Sequence, residues 1–297
     1  MPGSGRPYHL LLLISCLWFA SQTRADVSVT DDMGVTISLE HSARRIIALS
    51  PHITELLFAI GAGKQVVGAV AYSDYPAEAS TIPRVGDASR IDMERLMVLQ
   101  PDLVVGWASG NSQAALANIR AFAVPLYLAE PATLEGIAEN LQELGVLSGN
   151  VQQAAALAGH YRQQLQVLRR QYSQKKTVRV FYQVWQQPLL TFSSRHLVDQ
   201  VIRLCGGENI FARLPGLTPQ VSIEAVVASN PDVIIAGDYT DGAGLRAYWG
   251  QWQGLKAVKR KHIYAIHPDL LHRQTPRLLQ GAAELCSIID TVRNGGY

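Results

Sequence analysis

The residues that could carry chemistry form few patterns, and the enzymatic patterns are incomplete. Gly61-Ala62-Gly63-Lys64 suggests a phosphate loop, whose backbone N–H groups would cradle an anion. The first glycine of such a loop would stand at Phe58, and Gln65 replaces the hydroxyl residue that would hold magnesium. The run also follows a helical pattern, where glycines end the helix and open a turn. Gly110-Asn111-Ser112-Gln113-Ala114 lies between strand and helix patterns, the setting of a hydrolase nucleophile, with Asp238 and His267 downstream as possible partners. Its closing glycine is Ala114, in a turn too tight for most side chains. No Cys/His or HExxH spacing offers a zinc site. Enzymatic chemistry is therefore not indicated, and no catalytic residue, metal or catalytic cofactor is expected.

The elements that would position a binding site are legible. Short apolar runs read as strands at Arg45–Ser50, Val66–Tyr72, Leu103–Trp107 and Val124–Leu128. A second set follows at Val178–Trp185, Val233–Gly237 and Ile263–Ile266. Helical patterns such as Ile53–Ile60 and Ser112–Ala121 lie between them, so an α/β fold with mainly parallel sheets is expected.

The chain repeats itself. Asp92-Met-Glu94 through Pro101-Asp102-Leu-Val-Val-Gly106 matches Ser222-Ile-Glu224 through Pro231-Asp232-Val-Ile-Ile-Ala236 at a constant interval. Each copy reads as a helix capped by Asp92 or Ser222, a Pro-Asp turn and a buried strand. A weaker echo pairs Ile53–Gly63 with Leu197–Gly207. The repeat implies an N-terminal lobe over 26–149 and a C-terminal lobe over 176–297. Between them, 150–175 carries Ala154, Leu157, Tyr161, Leu165, Leu168 and Tyr172 at helical spacing. As one helix it would run roughly 39 Å, joining the lobes stiffly and leaving a cleft for a ligand.

Residues 1–25 have a basic start at Arg6, an apolar stretch Leu10–Ala20 and a small residue at Ala25, the order of a secretory signal. The apolar stretch is about half of the ~20 residues a membrane span needs. Cleavage after Ala25 removes two arginines and no acid, so the formal charge falls from +2 to zero. That balance argues against a nucleic-acid partner. Cleavage also removes Cys16, leaving Cys205 and Cys286. In an exported chain these suggest one disulfide, the alternative being two buried thiols. A rival reading makes Leu13-Ile14-Ser15-Cys16 a lipidation site, though with an unusually short apolar core.

Ser50-Pro51-His52-Ile53-Thr54-Glu55-Leu56, Tyr72-Ser73-Asp74-Tyr75-Pro76, Pro101-Asp102, Cys205-Gly206-Gly207-Glu208-Asn209, Pro219-Gln220-Val221-Ser222 and Thr275-Pro276-Arg277 follow in that order. Together they resemble the periplasmic vitamin B12-binding proteins of ABC importers, over about residues 44–290. The resemblance implies two α/β lobes on a rigid linking helix, a periplasmic location, a cobalamin ligand and delivery to an inner-membrane permease dimer. It implies a Cys205–Cys286 disulfide, and docking of Glu94 and Glu224, one per lobe, on permease arginines. Each glutamate could instead serve only its helix dipole.

For the ligand, the resemblance implicates Tyr72, Trp107 and the loop Asp269-Leu270-Leu271-His272-Arg273. Aromatic faces with a few polar groups suit a corrin, an apolar ring fringed by amides. Three departures thin the aromatic lining: Ala88 stands where a tryptophan is expected, Leu217-Thr218 lacks another, and Leu270 replaces a further aromatic. Trp185 could supply compensating area or sit in the core at a strand end. Haem or a ferric siderophore is the rival ligand, because Tyr72, Tyr75, His52, His267 and His272 fall at expected loop positions and Tyr or His could hold iron. A sensor or storage role without a permease, or a weak serine hydrolase, are the readings from other classes. The free protein is expected to be monomeric.

Overall fold

The computed structural model describes residues 27–172 and 174–296. The expected signal, its cleavage point and Cys16 lie outside them. An antiparallel hairpin, β1 (Val27–Thr30) and β2 (Thr36–Leu39), comes first. Then β3 (Ile46–Ala48), β4 (Val66–Ala69), β5 (Leu103–Trp107) and β6 (Leu126–Ala129) form a parallel sheet in the order β4-β3-β5-β6. A second parallel sheet, from β7 (Val178–Gln183), β8 (Gly207–Asn209), β9 (Val233–Gly237) and β10 (Ile263–Ile266), has the order β8-β7-β9-β10. The orders are the same once each strand is numbered within its own sheet. The sequence repeat is thus a repeat of topology, and the α/β fold with two parallel sheets is as expected.

The helices are α1 (Pro51–Ala59), α2 (Met93–Val98), α3 (Gln113–Ala121), α4 (Gly136–Ser148), α5 (Val151–Tyr172), α6 (Leu197–Leu204), α7 (Ile223–Ser229), α8 (Ala243–Trp249), α9 (Lys256–Lys259), α10 (Pro268–His272) and α11 (Leu278–Arg293). Their starts follow from local chemistry. Asp92 accepts the Arg95 N–H at 2.9 Å, and Ser222 accepts the Ala225 N–H at 3.2 Å, capping α2 and α7 as expected. Proline opens α1, where its missing N–H has no helical partner to lose. Helices cover the sheets on both faces, so Ile46, Ile47 and Ala48 are all buried with no alternation of polar residues.

Helix α5 lies between the two sheets in the chain and packs against α4 and α11. Its 22 residues run about 33 Å. Ala154, Tyr161, Leu165 and Tyr172 of the expected stripe are buried, joined by Ala158. Cys205, at the end of α6, is bonded to Cys286 in α11 across 81 residues of sequence. Closing a loop of that length stabilises the fold by about 4.5 kcal/mol in the chain-entropy model.

Some elements differ from the expectation. The strand expected over Val66–Tyr72 stops at Ala69, where its pairing with β3 ends, and Tyr72 itself takes a left-handed backbone with φ 64° that no strand could include. Strand β8 reads locally as a turn (Gly-Glu-Asn) and exists only through pairing with β7. The hairpin β1–β2 escaped the strand reading too. Asp31 closes its turn by accepting the Met33 and Val35 N–H groups at 3.0 and 2.8 Å.

Candidate functional site

Parallel strands bring their C-terminal ends to one edge of a sheet, and a ligand crevice forms beyond that edge. In the N-terminal lobe β3, β4 and β5 lead into Ser50–Glu55, Ala71–Tyr75 and Trp107–Asn111. In the C-terminal lobe β7, β9 and β10 lead into Val184–Trp185, Asp238–Tyr239 and His267–Arg277. Contacts between the lobes join these segments.

The seam is organised by Glu55 of α1, which is only 2% exposed. Thr275 Oγ1 donates to its Oε1 at 2.5 Å, and Arg277 donates from Nε at 2.7 Å and Nη2 at 2.6 Å. Arg273 Nη1 stands 3.8 Å from Oε2. A buried carboxylate is tolerated where charged donors converge on it like this. The hydrogen bond to Glu55 also raises the pKa of the Arg277 guanidinium. That guanidinium lies 3.6 Å over the Tyr75 ring, so Tyr75 belongs to the seam.

Beside it a second chain of contacts crosses the seam. Arg273 Nη2 meets Asp74 at 3.1 Å and Asp269 at 2.9 Å, and the Tyr239 hydroxyl donates to Asp269 at 3.3 Å. Burial and the Asp269 charge raise the Tyr239 pKa, keeping its hydroxyl a donor. Tyr72 and Tyr239, one from each lobe, are 78% and 72% exposed. The structure thus brings Tyr72, Asp269 and Arg273 together and adds Tyr239, which the sequence reading missed.

The other candidates take different places. Trp107 is half-buried, edge-on to His52 with ring centres 5.1 Å apart. A Cβ on Gly110 would stand 1.8 Å from the Trp107 ring, so this glycine makes room for the indole. Asn111 accepts the Trp107 N–H at 2.7 Å and donates to the Leu49 and Ala88 carbonyls at 2.8 and 3.0 Å. Gly110-Asn111 therefore positions a tryptophan. Ser112, Asp238 and His267 share no hydrogen bond among the described residues: Asp238 accepts from Thr240, and His267 packs edge-on to Tyr239. Gly61, at φ 85°, leads the chain out of α1, and a Cβ on Gly63 would meet the Phe58 ring at 2.6 Å.

Trp185 is exposed and borders a separate hollow of about 250 Å³ with Gln186 and Asp238. Leu270 is half-buried against Gly281. Leu271 is 1% exposed and lies in the hydrophobic core, so α10 turns it away from any ligand surface, contrary to the expectation. His272 Nε2 is 2.9 Å from the Tyr182 hydroxyl, and burial pushes its pKa down to about 4. His52 pairs with Ser50 Oγ at 2.6 Å; burial, then the nearby Arg273 charge, lower its pKa to about 3. Burial keeps both histidines neutral; His52 stands in the first turn of α1, the helix start expected for it, and His272 closes α10.

Glu94 and Glu224 are exposed in the first turns of α2 and α7. Arg45, just before β3, donates to the Leu99 carbonyl that ends α2, and Arg179 of β7 donates to the Ser229 carbonyl of α7, so each helix ends where a strand begins and its N-terminus points toward the cleft edge. The backbone N–H of Glu224, then the Ser222 hydroxyl, hold its carboxyl below the usual range. Sequence reasoning missed Glu55, although it is the single acid in Pro51–Ile60, and that isolation was the available signal.

A family model described as periplasmic binding protein matches residues 46–270. The vitamin B12-binding protein of Vibrio parahaemolyticus is 35% identical over 253 residues, covering 84% of this chain and 90% of that one. Its Vibrio cholerae counterpart is 38% identical over 248 residues, covering 83% and 89%. The crystal structure of the periplasmic vitamin B12 binding protein BtuF of Vibrio cholerae aligns with TM-score 0.80 at 37% identity, over 84% of this chain and 98% of that one. The periplasmic heme-binding protein RhuT from Roseiflexus aligns with TM-score 0.74 at 26% identity, over 85% and 100%. With a family match spanning both sheets and a seam built where parallel strands end, the chain belongs to the periplasmic binding proteins.

Proposed function

We propose that this protein captures a corrinoid, vitamin B12 or a close analogue, between its lobes and delivers it to an inner-membrane ABC transporter. The observation that carries this reading is the 35–38% identity to vitamin B12-binding proteins along most of both chains. The seam suits such a ligand. Tyr72 and Tyr239 offer aromatic area from opposite lobes, and Asp269 and Arg273 fix polar groups between them. Trp107 and Trp185 extend the aromatic surface, Leu270 its apolar surface, and His272 stiffens the wall. No bond in the ligand changes. Binding is an equilibrium, and release follows docking of Glu94 and Glu224 on a permease dimer.

The same reading includes export by residues 1–25, lobes at 26–149 and 176–297 on the linking helix, and a monomeric free protein. Haem ligation is disfavoured through His52 by its burial and through His272 by the bond of its Nε2 to the Tyr182 hydroxyl. Calorimetry of the purified mature protein with cyanocobalamin, haemin and a ferric siderophore tests the reading. Heat from cyanocobalamin alone is expected. Haemin binding with a shifted Soret band and no cobalamin heat refutes it.

A further inference from the structure

A cavity of about 420 Å³ opens between the lobes, next to the Glu55 seam. Ser109 and Glu130 line it from the ends of β5 and β6. Arg195, Leu217 and Gln274 line it from the C-terminal lobe. Arg195 and Glu130 are the charged groups on its wall.

Glu130 is held in place. Its Oε2 accepts the Ser109 backbone N–H at 2.7 Å, and its Oε1 accepts the Ser109 hydroxyl at 3.1 Å. Each carboxylate oxygen retains capacity to accept another hydrogen bond. Gln274 is 7% exposed, and its Oε1 is buried without a hydrogen-bond partner. Buried amides are nearly always paired, because an unmet polar group keeps its full desolvation cost. The flanking residues Arg273, Thr275 and Arg277 all approach Glu55, which holds the Gln274 backbone at the cavity.

The wall therefore presents a fixed acceptor, a cation and an amide with unused capacity. A primary amide complements all three: its N–H groups donate to Glu130, its carbonyl accepts from Arg195, and the Gln274 amide pairs in either orientation. A ligand carboxylate has no proton for Glu130 and meets like charge there. We propose that Gln274 and Glu130 determine specificity by reading a primary amide on the rim of the ligand. This inference rests on the corrinoid reading of the cleft. A corrin rim bears primary amides, whereas the acidic side chains of haem are carboxylates.

The test titrates cyanocobalamin, and a panel of derivatives each with one rim amide hydrolysed to carboxylate, into wild type, Gln274→Leu and Glu130→Gln. Wild type is expected to bind cyanocobalamin about tenfold more tightly than at least one of the acids, and Glu130→Gln to narrow that gap to about threefold or less. Gln274→Leu should weaken cyanocobalamin binding about tenfold with an unchanged melting temperature. If Gln274→Leu fails to fold, Gln274→Glu carries the same test by widening the gap against the acids. Wild type that binds cyanocobalamin and every acid alike, with variants indifferent to both, overturns this inference alone. Wild type that binds no cyanocobalamin overturns the corrinoid reading beneath it.

Discussion

Arg277 of the C-terminal lobe grips Glu55 of the N-terminal lobe with two hydrogen bonds, Nε to Oε1 at 2.7 Å and Nη2 to Oε2 at 2.6 Å. This two-pronged pair, with Thr275 and Arg273 around it, ties the lobes together at the edge where both sheets end. Planar guanidinium and planar carboxylate match in only a narrow range of geometries, so the pair also fixes the relative tilt of the lobes.

Removing one partner should cost more than the pair contributes, because the other charge is left buried. Glu55→Ala is expected to lower stability by about 3–5 kcal/mol in urea unfolding. A double-mutant cycle with Arg277→Ala should give a coupling above about 1 kcal/mol. Coupling near zero contradicts the lock.

The two exposed tyrosines should matter to binding and little to folding. Tyr72→Ala and Tyr239→Ala are each expected to weaken cyanocobalamin about tenfold by calorimetry. Thermal melts should barely move, since both rings are largely solvent-exposed. Tyr239→Phe keeps the aromatic face and loses only the bond to Asp269, so it should retain most affinity. Full affinity in both alanine variants would remove these rings from the site.

Reversing charge at Glu94 and Glu224 together should abolish uptake in cells while leaving ligand affinity within about twofold. Both carboxylates are exposed and neither is a partner in the Glu55 cluster, so the purified double variant should melt like wild type. Unchanged uptake refutes the docking assignment.

Acid should destabilise the protein through its buried histidines. Burial lowers His52 and His196 to about 3 and His272 to about 4, from 6.5. The unfolded chain then binds more protons than the folded one below pH ~6.5, so stability falls as the pH drops from there toward 3–4. Each histidine contributes up to about 1.4 kcal/mol per pH unit in that window. Denaturant midpoints between pH 7 and 4.5 should fall, and His196→Phe should flatten the slope. A flat profile in wild type contradicts neutral burial.

Much of this architecture is legible from local chemistry. The apolar strand runs, the caps Asp92 and Ser222 and the stripe of α5 depend on neighbours a few positions away, and such signals survive in one dimension. Strand β8 and the inward turn of Leu271 do not. The first needs a partner strand far along the chain, and the second depends on which face of a short helix meets the core.

The site divides in the same way. From the sequence alone came the α/β class, the doubled topology, the family resemblance and the segments that hold Tyr72, Trp107, Asp269 and Arg273. Only the tertiary structure set Glu55 against Arg277, placed Tyr239 at the seam, gave Gly110 to the Trp107 ring and left Gln274 buried beside a cavity. Apart from the Gly110–Trp107 contact, these relationships join residues distant in the chain. Their energies depend on burial and on distances of a few ångströms, which residue type and spacing do not specify.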